Sequence, residues 1–445
     1  MTQVAQDVAI RTELPGPRAR EFLEESLRRE PRSMSDQVPI VWKRAQGCFV
    51  EDVDGNVFLD FSSGVLVTNI GHSHPKVVAA IREQAGEVIN CYDFVSEWRT
   101  RLARRLVEIT PENLDRAFIL TTGSEAVEAA LKIARRATGR KEIIGFHGAF
   151  HGRTYGAMSV GGQRSSSGTR GFGPFLPGVI LAPFPNCYRC PFGLERQSCG
   201  LHCLAYLDQM IAAEAEADIA CLIVESYQGA AGSIVPPVEW MQGVERWCRE
   251  RDVVLIMDEV QASFGRTGRM FGFEHFGVCP NLLCLGKGIS STVPLAALVG
   301  ESRLMDCLEP GSLSSTHGGN PLCCRAGLAS IEVIIEERLS ENAARVGEVV
   351  LAYLRSMVDR HSCAGDARGL GLALALEIVR DQESKQPDPD RARAIVRGCY
   401  EQGLLMIAPI GVHGNVLRIA PPLVITEEQA LEGCRILDGV LTGMS

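Results

Sequence analysis

Three observations predict an α/β protein with a mainly parallel sheet covered by helices. Short apolar strands alternate with helical segments from about residue 100 onward. The run at residues 253–257 is apolar throughout, as expected for a parallel strand that is buried on both faces. The chain has 445 residues, which is more than one compact core normally supports, so a second domain is expected.

The N-terminal region and the sheet follow from local patterns. Residues 17–30 are charge-rich and predict an amphipathic helix, and residues 47–61 predict a hairpin that turns at 53–56. Helices are predicted at 125–138 and 238–250. Seven strands are predicted at residues 118–122, 142–146, 179–183, 220–224, 253–257, 282–285 and 295–299.

The C-terminal region predicts different elements. After about residue 325, two long helices are predicted at 326–337 and 342–360, followed by one strand at 369–379. An acidic loop at 381–390, a strand-turn-strand region at 404–419 and a closing helix from Thr426 come next. Residues 161–173 are rich in serine and glycine and predict a flexible loop. We expect residues 76–325 to form the large domain, and residues 1–75 and 326–445 to form a smaller α+β domain.

Composition excludes several classes of protein. A formal net charge of −9 argues against nucleic acid or an anionic membrane as the main partner. The first sixteen residues lack a basic segment followed by an apolar one, and no run approaches the roughly 18 apolar residues of a membrane span. The sixteen cysteines are dispersed, which favours reduced thiols. A cytoplasmic protein is expected.

Asp258 and Lys287 carry the strongest chemical signal. Asp258 follows the apolar strand 253–257, at the end where open α/β sheets bind ligands, and a buried carboxylate there needs a cationic partner. Lys287, one of six lysines, follows the apolar strand 282–285 between two glycines. The pair would suit pyridoxal phosphate, whose ring nitrogen binds a carboxylate and whose aldehyde forms a Schiff base with lysine. Taken alone, Asp258 would more often be a helix N-cap and Lys287 a solvated surface charge.

Two further segments fit a phosphorylated, planar ligand. Gly123 and Ser124 stand between a strand and a helix, where exposed amides favour a phosphate, although Ser124 is also suited to be an ordinary N-cap. Phe150 and His151 follow another strand, and the ring of Phe150 would stack on a flat ligand. The alternative is a core aromatic beside a histidine that is hydrogen-bonded within its loop.

Taken in order, these motifs resemble the class III (fold type I) pyridoxal-phosphate-dependent aminotransferases, the group of ornithine and 4-aminobutyrate aminotransferases. The resemblance covers nearly the whole chain. It rests on residues 54–56 (DGN), 71–75 (GHSHP), 123–126 (GSEA), 150–152 (FHG), 258–261 (DEVQ), 265–268 (GRTG), 287–288 (KG), 316–321 (THGGNP) and Arg418.

The resemblance implies roles for the matching residues. Lys287 would form the Schiff base and move the substrate proton, Asp258 would pair with the ring nitrogen, and Gln261 would contact the ring hydroxyl side. Gly123, Ser124 and Thr316 would hold the phosphate, with Thr316 supplied by the other subunit of a homodimer, and Phe150 and His151 would line the ring. Glu225 would lie near the ring, or else make a structural hydrogen bond. Arg418 would grip a substrate carboxylate, or else form a structural salt bridge.

The sequence departs from the family pattern in two places. Ala230 stands where related ω-aminotransferases commonly carry a second glutamate that neutralises the arginine, so simple ω-amino-acid specificity is not expected. Residues 289–294 (ISSTVP) replace a glycine-rich segment after the lysine. The predicted function is amino transfer from an amino acid to an aldehyde or ketone, and an aminosugar precursor, as in aminoglycoside biosynthesis, is one candidate acceptor. Epimerase, racemase or decarboxylating chemistry on the same scaffold is the alternative.

A cysteine-rich segment has a separate interpretation. Cys187, Cys190, Cys199 and Cys203 stand beside His202, and the first pair has the spacing of a zinc site. The second pair does not match a common zinc ribbon. A thiol-rich loop or a partial disulfide is preferred, and no metal is predicted.

Overall fold

A computed structural model describes residues 4–34, 36–163, 169–214, 216 and 218–444. Its strands are β1 (Trp42–Gln46), β2 (Phe49–Asp52), β3 (Val57–Asp60), β4 (Arg116–Leu120), β5 (Glu142–His147), β6 (Gly161–Gly162), β7 (Val179–Ala182), β8 (Ile219–Glu225), β9 (Val254–Asp258), β10 (Leu282–Leu285), β11 (Ala296–Gly300), β12 (Ala364–Leu370), β13 (Ala373–Ile378), β14 (Leu404–Leu405) and β15 (Val416–Ile419).

The α-helices are α1 (Pro17–Arg29), α2 (Ser63–Leu66), α3 (Pro75–Ala85), α4 (Glu97–Ile109), α5 (Gly123–Thr138), α6 (Tyr155–Ser159), α7 (His202–Glu214), α8 (Val238–Glu250), α9 (Ser302–Met305), α10 (Pro321–Glu336), α11 (Leu339–Arg360), α12 (Pro389–Glu401) and α13 (Glu427–Gly443). The chain divides into two compact units. One comprises Lys76–Phe264 and Arg269–Val333, and the other comprises Met1–Pro75, Gly265–Gly268 and Ile334–Ser445. The domain scheme drawn from the sequence stays a prediction.

The first unit is built on one mainly parallel sheet. Its strand order is β4-β11-β10-β9-β8-β5-β6, and β7 also pairs with β5. Strand β11 is antiparallel to both neighbours, and the pairs joining β10, β9, β8, β5, β6 and β7 are parallel. All seven predicted strands are present. Strand β6 was missed because it has two residues, and residues 164–168 of the predicted loop lie outside the described part of the chain.

Apolar burial explains why these strands form the centre of the unit. Strands β8 to β11 are buried along their whole length, and α5 packs against them with an alanine-rich face. Small side chains let that helix approach the sheet closely, and the buried apolar area stabilises the contact. The sheet is thereby fixed under the segments that follow its strands.

The second unit contains two smaller sheets. Strands β1, β2, β3 and β14 form one, and β12, β13 and β15 form an antiparallel other. The single strand predicted at 369–379 is wrong: the chain runs as the hairpin β12–β13, turning at Gly371, whose φ of 53° is left-handed. The buried Arg266 donates hydrogen bonds to the carbonyl oxygens of Leu372 (3.0 Å) and Pro421 (2.6 Å) and to the side chain of Asn69 (2.8 Å).

Candidate active site

Most of the predicted site residues gather at one edge of the large sheet. Strands β4, β5, β8, β9 and β10 run in the same direction, so their C-terminal ends meet at that edge. The residues that end or follow these strands are Gly123 and Ser124 after β4, Phe150 and His151 after β5, Glu225 ending β8, Asp258 ending β9, and Lys287 after β10.

Asp258 lies at the centre of this edge. It is 5% exposed, and it stands in register with Glu225 on one side and Cys284 on the other. Its Oδ2 lies 2.6 Å from Nδ1 of His151, and its Oδ1 accepts a hydrogen bond from the backbone N–H of Val260 at 3.0 Å. Turns follow Asp258, so it does not cap a helix. The cationic partner that its burial required is His151.

The environment of His151 favours its charged form. Burial lowers the pKa of His151, but the hydrogen bond to Asp258 and the charges of Asp258 and Glu225 outweigh it, so the pKa is raised. Its side chain is completely buried, and its Nε2 has no hydrogen-bond partner among the described residues. The buried contact with Asp258 therefore suits a protonated His151.

Glu225 holds two loops with one carboxylate. Its Oε1 accepts from the N–H of Phe150 at 3.0 Å, and its Oε2 accepts from the N–H of Gly229 at 3.1 Å. Burial raises the pKa of Glu225 to about 7; His151 opposes the rise and Asp258 adds to it. The geometry therefore places Glu225 as a clamp on the segment that carries Phe150 and His151.

Glu259 is a second buried clamp, and the residue-level interpretation of the sequence missed it. It accepts from the N–H of Gly272 (2.6 Å) and of Phe273 (2.9 Å) and from the hydroxyl of Ser226. Burial raises the pKa of Glu259 to about 7, against the lowering effect of these hydrogen bonds and with a smaller contribution from Asp258. The only signal in the sequence was a second acid directly after Asp258 at the end of an apolar strand.

The two clamps predict how stability depends on pH. Because the pKa of Glu225 and Glu259 rises from 4.5 to about 7 on folding, the folded state binds protons more tightly than the unfolded state. Their stabilising contribution is full below pH 4.5 and is lost as the pH rises to about 7. Each should account for roughly 2–3 kcal/mol. Urea unfolding of the cofactor-free protein at several pH values measures this loss.

Replacement variants separate the two carboxyls. Glu225→Gln and Glu259→Gln should each remove about half of the loss in that pH window, and the double variant should flatten it. Identical pH profiles for wild type and double variant would show that neither carboxyl changes its pKa on folding.

The start of α5 is shaped to present backbone amides. Thr122 is the N-cap: its hydroxyl accepts from the N–H of Glu125 at 3.3 Å, and Glu125 accepts from the N–H groups of Thr121 and Thr122 at 3.0 Å. The alternative that Ser124 is the cap is therefore wrong. The hydroxyl of Ser124 accepts a hydrogen bond from the N–H of Arg153 at 3.2 Å, and this bond joins the helix start to the loop after Phe150 and His151.

Gly123 lies at a junction with no room for a side chain. A Cβ on Gly123 would stand 2.8 Å from Val260, and one on Gly286 would stand 3.1 Å from the same residue. The helix start, the turn after Asp258 and the approach to Lys287 therefore pack directly on one another.

We expect Gly123→Ala to destabilise the protein by about 1–3 kcal/mol, because the added methyl overpacks this junction. Val260→Ala in the same chain should restore most of the loss. Thermal and urea unfolding measure both variants, with Gly443→Ala as the control because a Cβ there meets nothing within 4 Å. A fully stable Gly123→Ala protein would contradict the tight junction.

Phe150 and Gln261 present side chains at the same edge. Both are half-buried, and the guanidinium of Arg153 lies 5.5 Å from the ring centroid of Phe150. Gln261 accepts a hydrogen bond from the hydroxyl of Tyr227 at 3.1 Å, and a Cβ on Gly229 would overlap its amide oxygen. Phe150 is thus not a fully buried core aromatic. Gln261 is held in place by Tyr227 and Gly229, which follow Glu225 in the chain.

Lys287 has an unusual backbone conformation. It begins the short 3₁₀ turn Lys287–Ile289 and has a φ of 43°, in the left-handed region that few residues other than glycine adopt. It is half-buried, which does not agree with a fully solvated surface charge. Strained backbone of this kind is found where a side chain must be aimed.

Thr316 and Arg418 do not follow any of these strand ends. Thr316 is exposed, in the loop between α9 and α10 of the same unit. Arg418 belongs to the other unit, where it is 3% exposed on β15 and stands in register with Ala375 of β13. The segment after Gly229 carries Ala230, which is half-buried.

The cysteine-rich segment forms a small pocket. Cys187, Cys190, Cys199 and Cys203 line it together with His202, and all four thiols are free. Burial, followed by the neighbouring Cys199 and Cys187, raises the pKa of Cys203 to about 11. Within the described ranges, no three histidine, cysteine or acidic side chains are arranged to hold a metal ion.

The edge of the sheet fits pyridoxal phosphate in its donor set. The amides at the start of α5 suit a phosphate, Phe150 offers a ring face, and the remaining oxygen lone pairs of Asp258 suit a protonated ring nitrogen. The unpartnered Nε2 of His151 and the strained Lys287 lie at the same edge. When bound, this cofactor supplies an electron sink for the bonds around the substrate amine carbon.

Comparison with known proteins agrees with this geometry. The aminotransferase class-III family model matches residues 32–441. A probable 4-aminobutyrate aminotransferase of Bacillus subtilis is 37% identical over 402 residues, covering 89% of this chain and 92% of that protein. An alanine/serine racemase of Pyrococcus horikoshii is 37% identical and covers 95% and 90%. The crystal structure of a PLP-bound amine transaminase from an uncultivated Pseudomonas species superposes with a TM-score of 0.86 at 33% identity, covering 91% and 95%.

The fold and these relatives define a pyridoxal-phosphate-dependent transferase of fold type I. Within that class, the chain belongs to the class-III aminotransferases, and it is an enzyme that transfers amino groups between small-molecule substrates. Among the helices in the described part of the chain, none is long and apolar enough to span a bilayer.

Proposed function

We propose that this aminotransferase holds its cofactor through Lys287 and Asp258. Lys287 attaches the cofactor through Nζ and, once released, moves a proton to or from the substrate carbon. Asp258, in contact with His151, binds the ring nitrogen and holds its proton. The observation that carries this proposal is the buried 2.6 Å contact between Asp258 and His151, at the edge that Lys287 also reaches.

The surrounding residues would orient the cofactor. We assign the phosphate to Gly123 and Ser124, one ring face to Phe150, and the ring hydroxyl side to Gln261. Glu225 acts on these residues through the backbone of Phe150 and Gly229. Of the two alternatives for Glu225, a place near the ring or a structural hydrogen bond, these contacts support the second, and we assign Glu225 a positioning role.

We further propose a homodimer in which Thr316 completes the partner's phosphate site. Support comes from the surface beside Thr316, where five apolar side chains of one segment are 47–83% exposed: Val88, Ile89, Tyr92, Phe94 and Val95. A patch of this kind is typical of a protein interface. The side-chain amide of Asn320, in the Thr316 loop, donates to the carbonyl oxygen of Ile89. A monomer would therefore lack part of each site.

The substrate proposal rests on Arg418 and Ala230. Arg418 would bind a substrate carboxylate through two parallel hydrogen bonds. Because alanine replaces the acid that would otherwise neutralise it, Arg418 should favour donors and acceptors that keep an α-carboxylate. The candidate acceptor that lacks an α-carboxylate is an oxidised aminosugar or another amine precursor. The net charge of −9 is compatible with such a substrate. We place the enzyme in the cytoplasm, where its sixteen cysteines would stay reduced.

A half-reaction tests the proposal. Glutamate, glutamine or alanine added singly to the cofactor-loaded enzyme should bleach its visible absorbance and release the matching keto acid. Profiling against amino acids, diamines and aminosugars then identifies the acceptor. Failure of every donor to bleach the absorbance and release a keto acid would contradict amino transfer.

Racemisation or epimerisation is the second candidate. Ala230 and the 37% identity to an alanine/serine racemase favour it. Exchange of the substrate α-hydrogen for deuterium, without keto-acid release, would establish this reaction in place of the first. Decarboxylation would instead release carbon dioxide.

A further inference from the structure

Glu125 connects two parts of the large unit that the proposed site uses separately. Its Oε2 accepts hydrogen bonds from the backbone N–H groups of Thr121 and Thr122, both at 3.0 Å, at the start of α5. Its Oε1 accepts from the hydroxyl of Ser315 at 3.2 Å. One carboxylate therefore joins the helix start beside Gly123 to the loop that carries Thr316.

That loop is held firmly on its inner side. Its Gly318 packs so closely on β4 that a Cβ would stand 2.9 Å from the carbonyl oxygen of Ile119. Its Asn320 bonds to the carbonyl oxygen of Ile89, and its Ser314 lies 3.4 Å from the hydroxyl of Tyr92. Ser315 faces Glu125, whereas its neighbour Thr316 is exposed. Of these two adjacent residues, Ser315 makes a contact within the subunit and Thr316 lies at its surface.

We propose that the Ser315–Glu125 hydrogen bond is a positioning contact that links the phosphate-binding helix start of each subunit to the Thr316 loop it presents to its partner. This inference rests on the proposed function, because it requires a dimer in which Thr316 reaches the other subunit's phosphate. Glu125 then acts on two sites at once: on its own through the cap of α5, and on the partner's through Ser315.

Removing the Ser315 hydroxyl should weaken cofactor binding in the partner subunit. The cap remains, because Thr121, Thr122 and Glu125 keep their hydrogen bonds to one another. The loop loses one charge-assisted hydrogen bond, so Ser315→Ala should raise the dissociation constant for pyridoxal 5′-phosphate about 3- to 10-fold. Ser315→Thr keeps a hydroxyl and should restore most of the affinity.

Hybrid dimers with one active lysine locate the effect. Two differently tagged chains are co-expressed, and Lys287→Ala on one of them leaves a single site able to give the visible absorbance of lysine-bound cofactor. In the first hybrid, Ser315→Ala is on the chain that carries Lys287→Ala, so the altered loop serves the active site. In the second, Ser315→Ala is on the chain that keeps Lys287, so the altered loop serves the inactive one.

We expect reduced affinity in the first hybrid and wild-type affinity in the second. A loss of cofactor affinity only in the second hybrid, an equal loss in both hybrids, or no loss in either hybrid would overturn the inference. Ser312→Ala, at an exposed serine of the same loop, is the matched control and should bind like wild type. Wild-type dimers that form no lysine-bound cofactor would instead refute the proposed function itself, so the two failures are distinguishable.

Discussion

Lys287→Ala should abolish amino transfer and leave the protein without the visible absorbance of lysine-bound cofactor. Lys287 is assigned both the covalent attachment and the movement of the substrate proton. We therefore expect the rate to fall by at least about 10⁴-fold, more than one acid–base group alone usually contributes. Borohydride reduction of the wild type, followed by peptide mass spectrometry, should place the trapped adduct on Lys287 and give no adduct in the variant.

Lys132→Ala is the matched control for this experiment. Lys132 is exposed on α5 of the same unit, so its replacement should leave the absorbance, the adduct and the rate unchanged. A wild-type adduct on Lys132, or a fully active Lys287→Ala enzyme, would refute the assigned role.

The sequence predicts the large sheet well because its signals are local and strong. Strands β8 and β9 are uninterrupted apolar runs of six and four residues, each ended by an acid, and the helix at Val238–Glu250 ends where its pattern ends. The hairpin at β12 and β13 was predicted as one strand because its turn is marked by a single glycine inside an apolar run. Helix α12 was missed because it follows the Asp388 cap directly within a segment predicted as loop.

The site was predictable only in part, for a physical reason. Residues such as Asp258 and Lys287 stand at strand ends, where the direction of a parallel sheet already brings them together. The clamps that hold them depend on contacts between distant segments: Glu225 reaches a backbone amide 75 residues away, and Ser315 reaches a carboxylate 190 residues away. No local pattern encodes such pairings. The cationic partner of Asp258 was required by burial, but only the fold identifies it as His151.

That partnership makes Asp258→Asn the second large expected effect. The amide keeps the shape of the side chain but removes the charge that raises the pKa of His151 and would hold a protonated ring nitrogen. Breaking a buried ionic pair by removing one member typically costs about 3–5 kcal/mol of folding stability. The rate should fall for a separate reason: without a carboxylate to hold the ring nitrogen protonated, the cofactor is a weaker electron sink. We expect a loss of about 10³-fold or more, which corresponds to about 4 kcal/mol of activation free energy.

A comparison with His151→Asn separates the two roles of Asp258. His151 acts only through Asp258, so its loss should reduce the rate by about 10- to 100-fold, less than the loss of Asp258 itself. In the double variant the two effects should not add, because the residues share one contact. Nuclear magnetic resonance of cofactor-free Asp258→Asn protein should also show a lower pKa for His151, because burial is then opposed only by Glu225. Equal rate losses for both single variants would mean that Asp258 only supports His151 and does not bind the ring nitrogen.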